Sequence, residues 1–226
     1  FFFFPGFTEL TGGLPRESDL FERRRRFQND PGQRRAFLAT INVERPEKAR
    51  LISLFAYENA GLCDWLDRLS FSEEKTLLLV PEGRSVPDLI RWAVEPSLRC
   101  GDSVSRGGLT VQVIPFVRQE DYDRLLWSCD FNVVRGEDSL VRAQWAAVPF
   151  IWQPYPQVED VHLQKLDAFL AIYGAGLPED VRVIQADLWR AWSTEKSMQG
   201  WSLLVKHQQT LLQHAESWCR QLGKQK

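Results

Sequence analysis

Arg135, Gly136, Glu137, Asp138 and Ser139 stand in a row directly after the apolar run Phe131–Val134. Where a strand hands over to a helix, the first-turn amides and the helix dipole favour a phosphate group. Arg135 adds a charge-assisted hydrogen bond worth about 1.5–3 kcal/mol, and Gly136 lets the backbone turn tightly. Two acids in the same turn complicate that chemistry. Asp138 and Ser139 are also ordinary capping residues worth about 1 kcal/mol, so capping alone accounts for that pair. It accounts less well for Glu137. Beside a diphosphate at the helix start, this carboxylate is suited to accept hydrogen bonds from sugar hydroxyls.

Tyr155 follows the next apolar run, in a loop that Pro154 and Pro156 hold extended. Its hydroxyl can reach the same crevice, or its ring can pack into the core. Phe55 and Tyr57 end an earlier run, and Phe116, Gln119 and Tyr122 follow another. Such rings form either core or a flat slot for a base, whose edge free main-chain groups beside Gln119 can bond. The ligand reading gains from placement, since every one of these groups falls at the carboxyl edge of a parallel sheet.

The elements that must position them follow from the pattern beyond Arg50. Short apolar β-rich runs alternate with amphipathic ones, the signature of βαβ units around a mainly parallel sheet. Strands are expected at Leu51–Ala56, Thr76–Val80, Leu109–Ile114, Phe131–Val134 and Pro149–Trp152, with helices at Gly61–Leu69, Val86–Val94, Gln119–Ser128 and Asp138–Ala147. Further helices are expected at Val158–Tyr173, Gln185–Trp192 and Glu195–Leu222. Phe1 to Phe4 read as a buried strand, and Thr11–Pro15 as a turn before a basic amphipathic helix around Arg23–Arg35. The division expected is a connection over 1–45, a ligand-binding domain over 46–192 and a terminal helix over 193–226.

Composition narrows the function. Net charge is −2, so the local arginine run gives no global attraction to nucleic acid. No apolar run approaches the roughly 20 residues needed to span a bilayer. Cys63, Cys100, Cys129 and Cys219 form no CxxC pair, which fits reduced thiols in a cytoplasmic protein. His162, His207 and His214 form no metal-ligand set, and neither GxGxxG nor a P-loop occurs. The opening phenylalanines lack the marks of a signal peptide, and the chain reads as a fragment.

The segments FFFPGFT and TGGL near the start, LLLVPEG at Leu77–Gly83, PFVRQEDYDRLLW at Pro115–Trp127, RGEDSLVRAQW at Arg135–Trp145 and PYPQVEDVHLQKLDAFL at Pro154–Leu170 resemble one family. They are similar to the protein-arginine rhamnosyltransferases that modify bacterial elongation factor P. The resemblance implies the Rossmann-like C-terminal domain of a GT-B glycosyltransferase, binding dTDP-β-L-rhamnose without a metal ion or other cofactor. It implies that Phe55, Tyr57, Phe116 and Tyr122 line a thymine pocket where Gln119 offers main-chain recognition. Arg135, Asp138, Ser139 and Tyr155 would surround ribose and diphosphate, and Glu137 would orient the rhamnose and assist transfer. The family's proposed general base lies in an N-terminal domain, so this part alone is expected to bind donor but not to transfer. Two positions depart from the family pattern. Ala147-Val148 replaces a Gly-Lys, an expected loss of a basic group near the crevice, and Pro154 replaces an apolar residue, an expected shift of the Tyr155 loop. The tryptophans 189, 192, 201 and 218 are expected to present apolar surface to a missing neighbour.

Two other readings stand beside this one. The first is a GT-B donor domain for another nucleotide sugar. The second is a non-catalytic module that docks a protein through its basic and C-terminal helices.

Overall fold

The computed structural model describes residues 6–7 and 11–225, so the expected strand at Phe1–Phe4 lies outside the described residues. Six strands form one sheet: β1 (Arg50–Leu54), β2 (Thr76–Pro81), β3 (Ser103–Arg106), β4 (Leu109–Ile114), β5 (Phe131–Arg135) and β6 (Phe150–Gln153). Their order is β3-β4-β2-β1-β5-β6, parallel throughout except for the antiparallel β3–β4 pair. Every residue of β2 and β6 is buried. Side chains alternate between the two faces of a strand, so both faces of the sheet are covered, as a parallel sheet requires.

The cover comes from ten helices among the described residues. α1 (Leu20–Gln28) and α2 (Pro31–Thr40) precede the sheet, and α3 (Leu62–Ser70), α4 (Val86–Ala93), α5 (Gln119–Ser128) and α6 (Gly136–Ala146) follow individual strands. α7 (Val161–Tyr173), α8 (Glu179–Ser193), α9 (Trp201–Lys206) and α10 (Gln208–Leu222) close the chain. The basic helix expected around Arg23–Arg35 is two helices. Asp30 breaks it by accepting from the amides of Gly32 and Gln33, with Pro31 at the first helical position.

The expected mainly parallel α/β sheet is present, with its five parallel strands within two residues of their expected bounds. β3 was not expected, because its exposed polar residues carry no apolar period. The helix expected from Val158 begins at Val161, since Glu159 and Asp160 are left-handed at φ 61° and 57°. The helix expected at Gln185–Trp192 starts two turns earlier, at Glu179. The single helix expected over Glu195–Leu222 starts only at Trp201, after a non-helical stretch in which Glu195 is left-handed at φ 57°, and is two helices, α9 and α10, separated at His207.

The four tryptophans overturn the expectation of an uncovered apolar face. Trp189 and Trp192 are wholly buried, and Trp201 and Trp218 nearly so. Trp192 and Trp201 meet Trp65 edge-on at 5.5 and 5.1 Å. Trp189 packs on Phe150 of β6 at 5.2 Å, and the Trp218 indole donates to Gln144 of α6 at 2.9 Å. The terminal helices therefore bury these rings against the chain's own sheet and α6. Trp189→Ala should lower unfolding stability by about 3–5 kcal/mol, read as a shifted denaturant midpoint with unchanged slope.

Candidate functional site

β1 sits between β2 and β5, so the chain leaves it toward β2 and β4 on one side and toward β5 and β6 on the other. Loops that diverge from such a strand open a crevice at its carboxyl end, where open α/β sheets take their ligands. The residues just beyond β1 are Phe55 and Tyr57; those beyond β5 are the first turn of α6.

One hollow of the crevice, about 250 Å³, is lined by Phe55, Phe116, Gln119, Tyr122, Asp138 and Ser139, with Pro81, Val117 and Arg142. Phe55 meets Phe116 and Tyr122 edge-on, each at 5.9 Å. Phe116 is 65% exposed, so this cluster is a slot open to solvent and not core. Gln119 opens α5, where a helix amide has no intrahelical acceptor and is available to a base edge. Ser139 lies beside the buried Tyr122 hydroxyl, which forms no hydrogen bond of ordinary geometry. Burial holds that phenol well above its usual range, with Ser139 and Arg135 opposing. It is a neutral donor with room for a partner.

Arg135, Tyr57 and Tyr155 form the rim. The Arg135 guanidinium lies 4.3 Å from the Phe55 ring centroid and 4.7 Å from that of Tyr57, and donates to the Ala56 carbonyl at 3.3 Å. Burial pushes its pKa down, because no carboxylate among the described residues lies within ion-pair reach. Gln153 of β6 accepts from the Tyr57 amide at 2.9 Å and fixes this rim. Tyr155 is 55% exposed and meets Tyr57 edge-on at 5.4 Å, so it borders the crevice and not the core. Pro154, directly before it, is buried.

Gly136 makes the turn from Arg135 into α6 at φ 65°, where a Cβ would stand 3.2 Å from the Tyr57 hydroxyl. Its carbonyl accepts from the Trp152 indole at 2.8 Å, tying the turn to β6. Glu137 is exposed. With Asp138 it borders a second, larger hollow of about 600 Å³ that Trp152, Lys165 and Phe169 also line. Asp138 thus stands on the ridge between the two hollows, and Glu137 is set apart from the aromatic slot.

Sequence reasoning passed over two arginines. Arg142 forms part of the aromatic hollow and pairs with the buried Asp123, donating from Nε at 2.8 Å, and with Glu17 at 2.9 Å. This network pins the start of α5 to α6 and to the segment before α1. Its signal was the spacing of Asp138, Ser139 and Arg142 on one helix face. Arg84, beyond β2, stands 6.0 Å from the Tyr57 ring. Its signal was a basic residue at a third strand end, directly after Glu82-Gly83.

The model of the elongation-factor P (EF-P) rhamnosyltransferase EarP matches residues 1–226 of this chain. The chain belongs to the EarP family. It is 53% identical over 96% of its length to a protein-arginine rhamnosyltransferase of Pseudomonas putida, and 49% identical over 99% to one of Pseudomonas aeruginosa. It spans 58% and 60% of those relatives' own lengths. A solved EarP structure, described as the structural basis for EarP-mediated arginine glycosylation of translation elongation factor EF-P, superposes over all of this chain and 72% of its own, with a TM-score of 0.92 and 49% identity.

One expected consequence of departing from the EarP pattern does not hold. Ala147 and Val148 lie between the end of α6 and the start of β6, at the opposite edge of the sheet from the crevice. No basic group is lost from the site. Ala147 occupies the left-handed cap of α6 at φ 55°, the conformation a glycine favours. In the crevice itself Gly136 is the sensitive position. Gly136→Ala should cost about 1–2 kcal/mol of stability from the left-handed backbone, and the crowded Tyr57 should lower ligand affinity as well. Chemical denaturation beside calorimetric titration reads both.

Proposed function

We propose that this chain is the donor-binding part of an inverting GT-B glycosyltransferase that transfers L-rhamnose from dTDP-β-L-rhamnose to an arginine of elongation factor P in the bacterial cytoplasm. The observation that carries the reading is an aromatic slot, sized for a base, opening onto a half-buried arginine that has no carboxylate within ion-pair reach among the described residues, at the sheet's switch point, in a chain of the EarP family.

In this reading thymine lies among Phe55, Phe116 and Tyr122, with main-chain groups at Gln119 on its edge. Asp138 and Ser139 take the ribose, and Arg135, Tyr155 and the first amides of α6 take the diphosphate. An acceptor guanidinium nitrogen attacks the anomeric carbon opposite the diphosphate. The bond from that carbon to the phosphate oxygen breaks, its electron pair leaves with dTDP, and the nitrogen gives its proton to a general base supplied by the N-terminal domain that the family reading implies. Negative charge grows on the leaving diphosphate, where Arg135 and the helix amides stabilise it. A free guanidinium stays protonated and is a poor nucleophile, so a carboxylate must orient it. Glu137, exposed at the start of α6 and outside the base slot, orients the rhamnose and assists transfer. The reading uses no metal. The described residues hold no group of three or more His, Cys, Asp or Glu arranged to bind one, and no helix long and apolar enough to cross a membrane.

Calorimetric titration of the chain with dTDP, UDP and dTDP-L-rhamnose tests the reading. Selective dTDP binding, weakened roughly 10- to 100-fold by Arg135→Ala, is expected. Equal binding of UDP would point to a donor domain for another nucleotide sugar. No binding by folded protein would favour an interaction module. The chain alone should transfer no rhamnose to elongation factor P, and single-turnover transfer by it would overturn the division of labour proposed here.

A further inference from the structure

The crevice holds a second guanidinium that the donor reading above leaves unused. Gly83, at φ 145°, turns the chain after β2 and delivers Arg84 to the same rim as Arg135. Arg84 stands 6.0 Å from the centroid of Tyr57, and Arg135 stands 4.7 Å from that same ring. The two cations therefore share one tyrosine, close enough for each to oppose the other's charge. Arg84 forms an ion pair with Glu58 at 3.3 Å, with both partners more than half exposed. An ion pair this exposed is weak and yields to a stronger anion.

Charge and order along the crevice both select the anion. Arg135 lies over Phe55 as well as Tyr57, next to the base slot, whereas Arg84 reaches only Tyr57 and lies farther out. A ligand running outward from the slot meets Arg135 first and Arg84 second. A diphosphate ester carries negative charge on each phosphate and gains more as the sugar departs, which a single half-buried guanidinium does not balance. We infer that Arg84 is a second phosphate-binding residue, exchanging Glu58 for the distal phosphate of a nucleoside diphosphate. The inference rests on the donor reading.

Titration with thymidine, dTMP and dTDP separates the two. Arg84→Ala should weaken dTDP roughly tenfold or more while leaving dTMP and thymidine within about twofold, and Arg84→Lys should recover part of the loss. Glu58→Gln should leave dTDP binding intact or tighter. Unchanged dTDP affinity in Arg84→Ala, with normal wild-type binding, overturns the assignment alone. So does an equal loss of thymidine affinity, which would mean that Arg84 acts by packing on Tyr57. A loss in Glu58→Gln matching that of Arg84→Ala would likewise show that the pair only holds the loop. A folded wild-type chain that binds none of the three overturns the donor reading itself.

Discussion

The pairing of β1 with β2 on one side and β5 on the other is the constraint from which the crevice descends. Ile52 stands opposite Leu78 in one direction and Phe131 in the other, and the registers carry on to the carboxyl ends. A one-residue slip of β5 would turn its side chains to the opposite faces and move Arg135 off Phe55 and Tyr57. The registry is held by burial on both faces and by the hydrogen bond from Ser53 to Asn132, 2.6 Å long between two buried side chains. A buried polar pair between adjacent strands penalises every register that separates it. The geometry of the rim is thus specified well below the surface that uses it.

Arg135 shows the energetic consequence of this arrangement. It is half-buried, bonded to one carbonyl and laid on two rings, which satisfies its shape better than its charge. Cation–π contact returns about 0.5–2 kcal/mol, less than the several kcal/mol that desolvating an ion costs. The crevice is therefore electrostatically incomplete in its own residues, and an anion gains more here than beside an exposed arginine. Arg142 is the contrast. It is half-buried too, yet it is saturated by Asp123 and Glu17, so it stiffens the wall of the base slot without attracting a ligand.

How far sequence carried depended on periodicity and on sequence distance. β1 and β4 are apolar-patterned strands that packing could not reassign, and their ends placed the aromatic slot. β3 was invisible because an exposed edge strand of Ser103, Val104, Ser105 and Arg106 needs no apolar period, only the ladder that β4 offers. The break at His207 has no Gly or Pro to announce it; apolar residues continue at helical spacing through it. The tryptophans misled for another reason. Apolar content shows that a face must be covered and not by what, and here β6, α6 and α3 supply the cover. Arg84 and Arg142 escaped notice because their significance lies in neighbours distant in sequence, Tyr57 and Glu58 for one and Glu17 for the other.

The sign of charge across the crevice also has a physical order. The basic groups, Arg84 and Arg135, gather about Tyr57 at the ends of β1 and β2, and the acidic ones, Glu137 and Asp138, stand in the first turn of α6 toward the second hollow. An anionic leaving group and a cationic acceptor placed in one undivided site would attract each other and sit together unproductively. In the proposed reaction, a crevice that is positive at one end and negative at the other would keep them apart, with the sugar between. Tyr57 registers both fields: Arg135 and Arg84 lower its phenol, Glu137 raises it, and burial outweighs them all. A neutral tyrosine at that boundary supplies a hydrogen-bond donor without adding a charge that would blur the division.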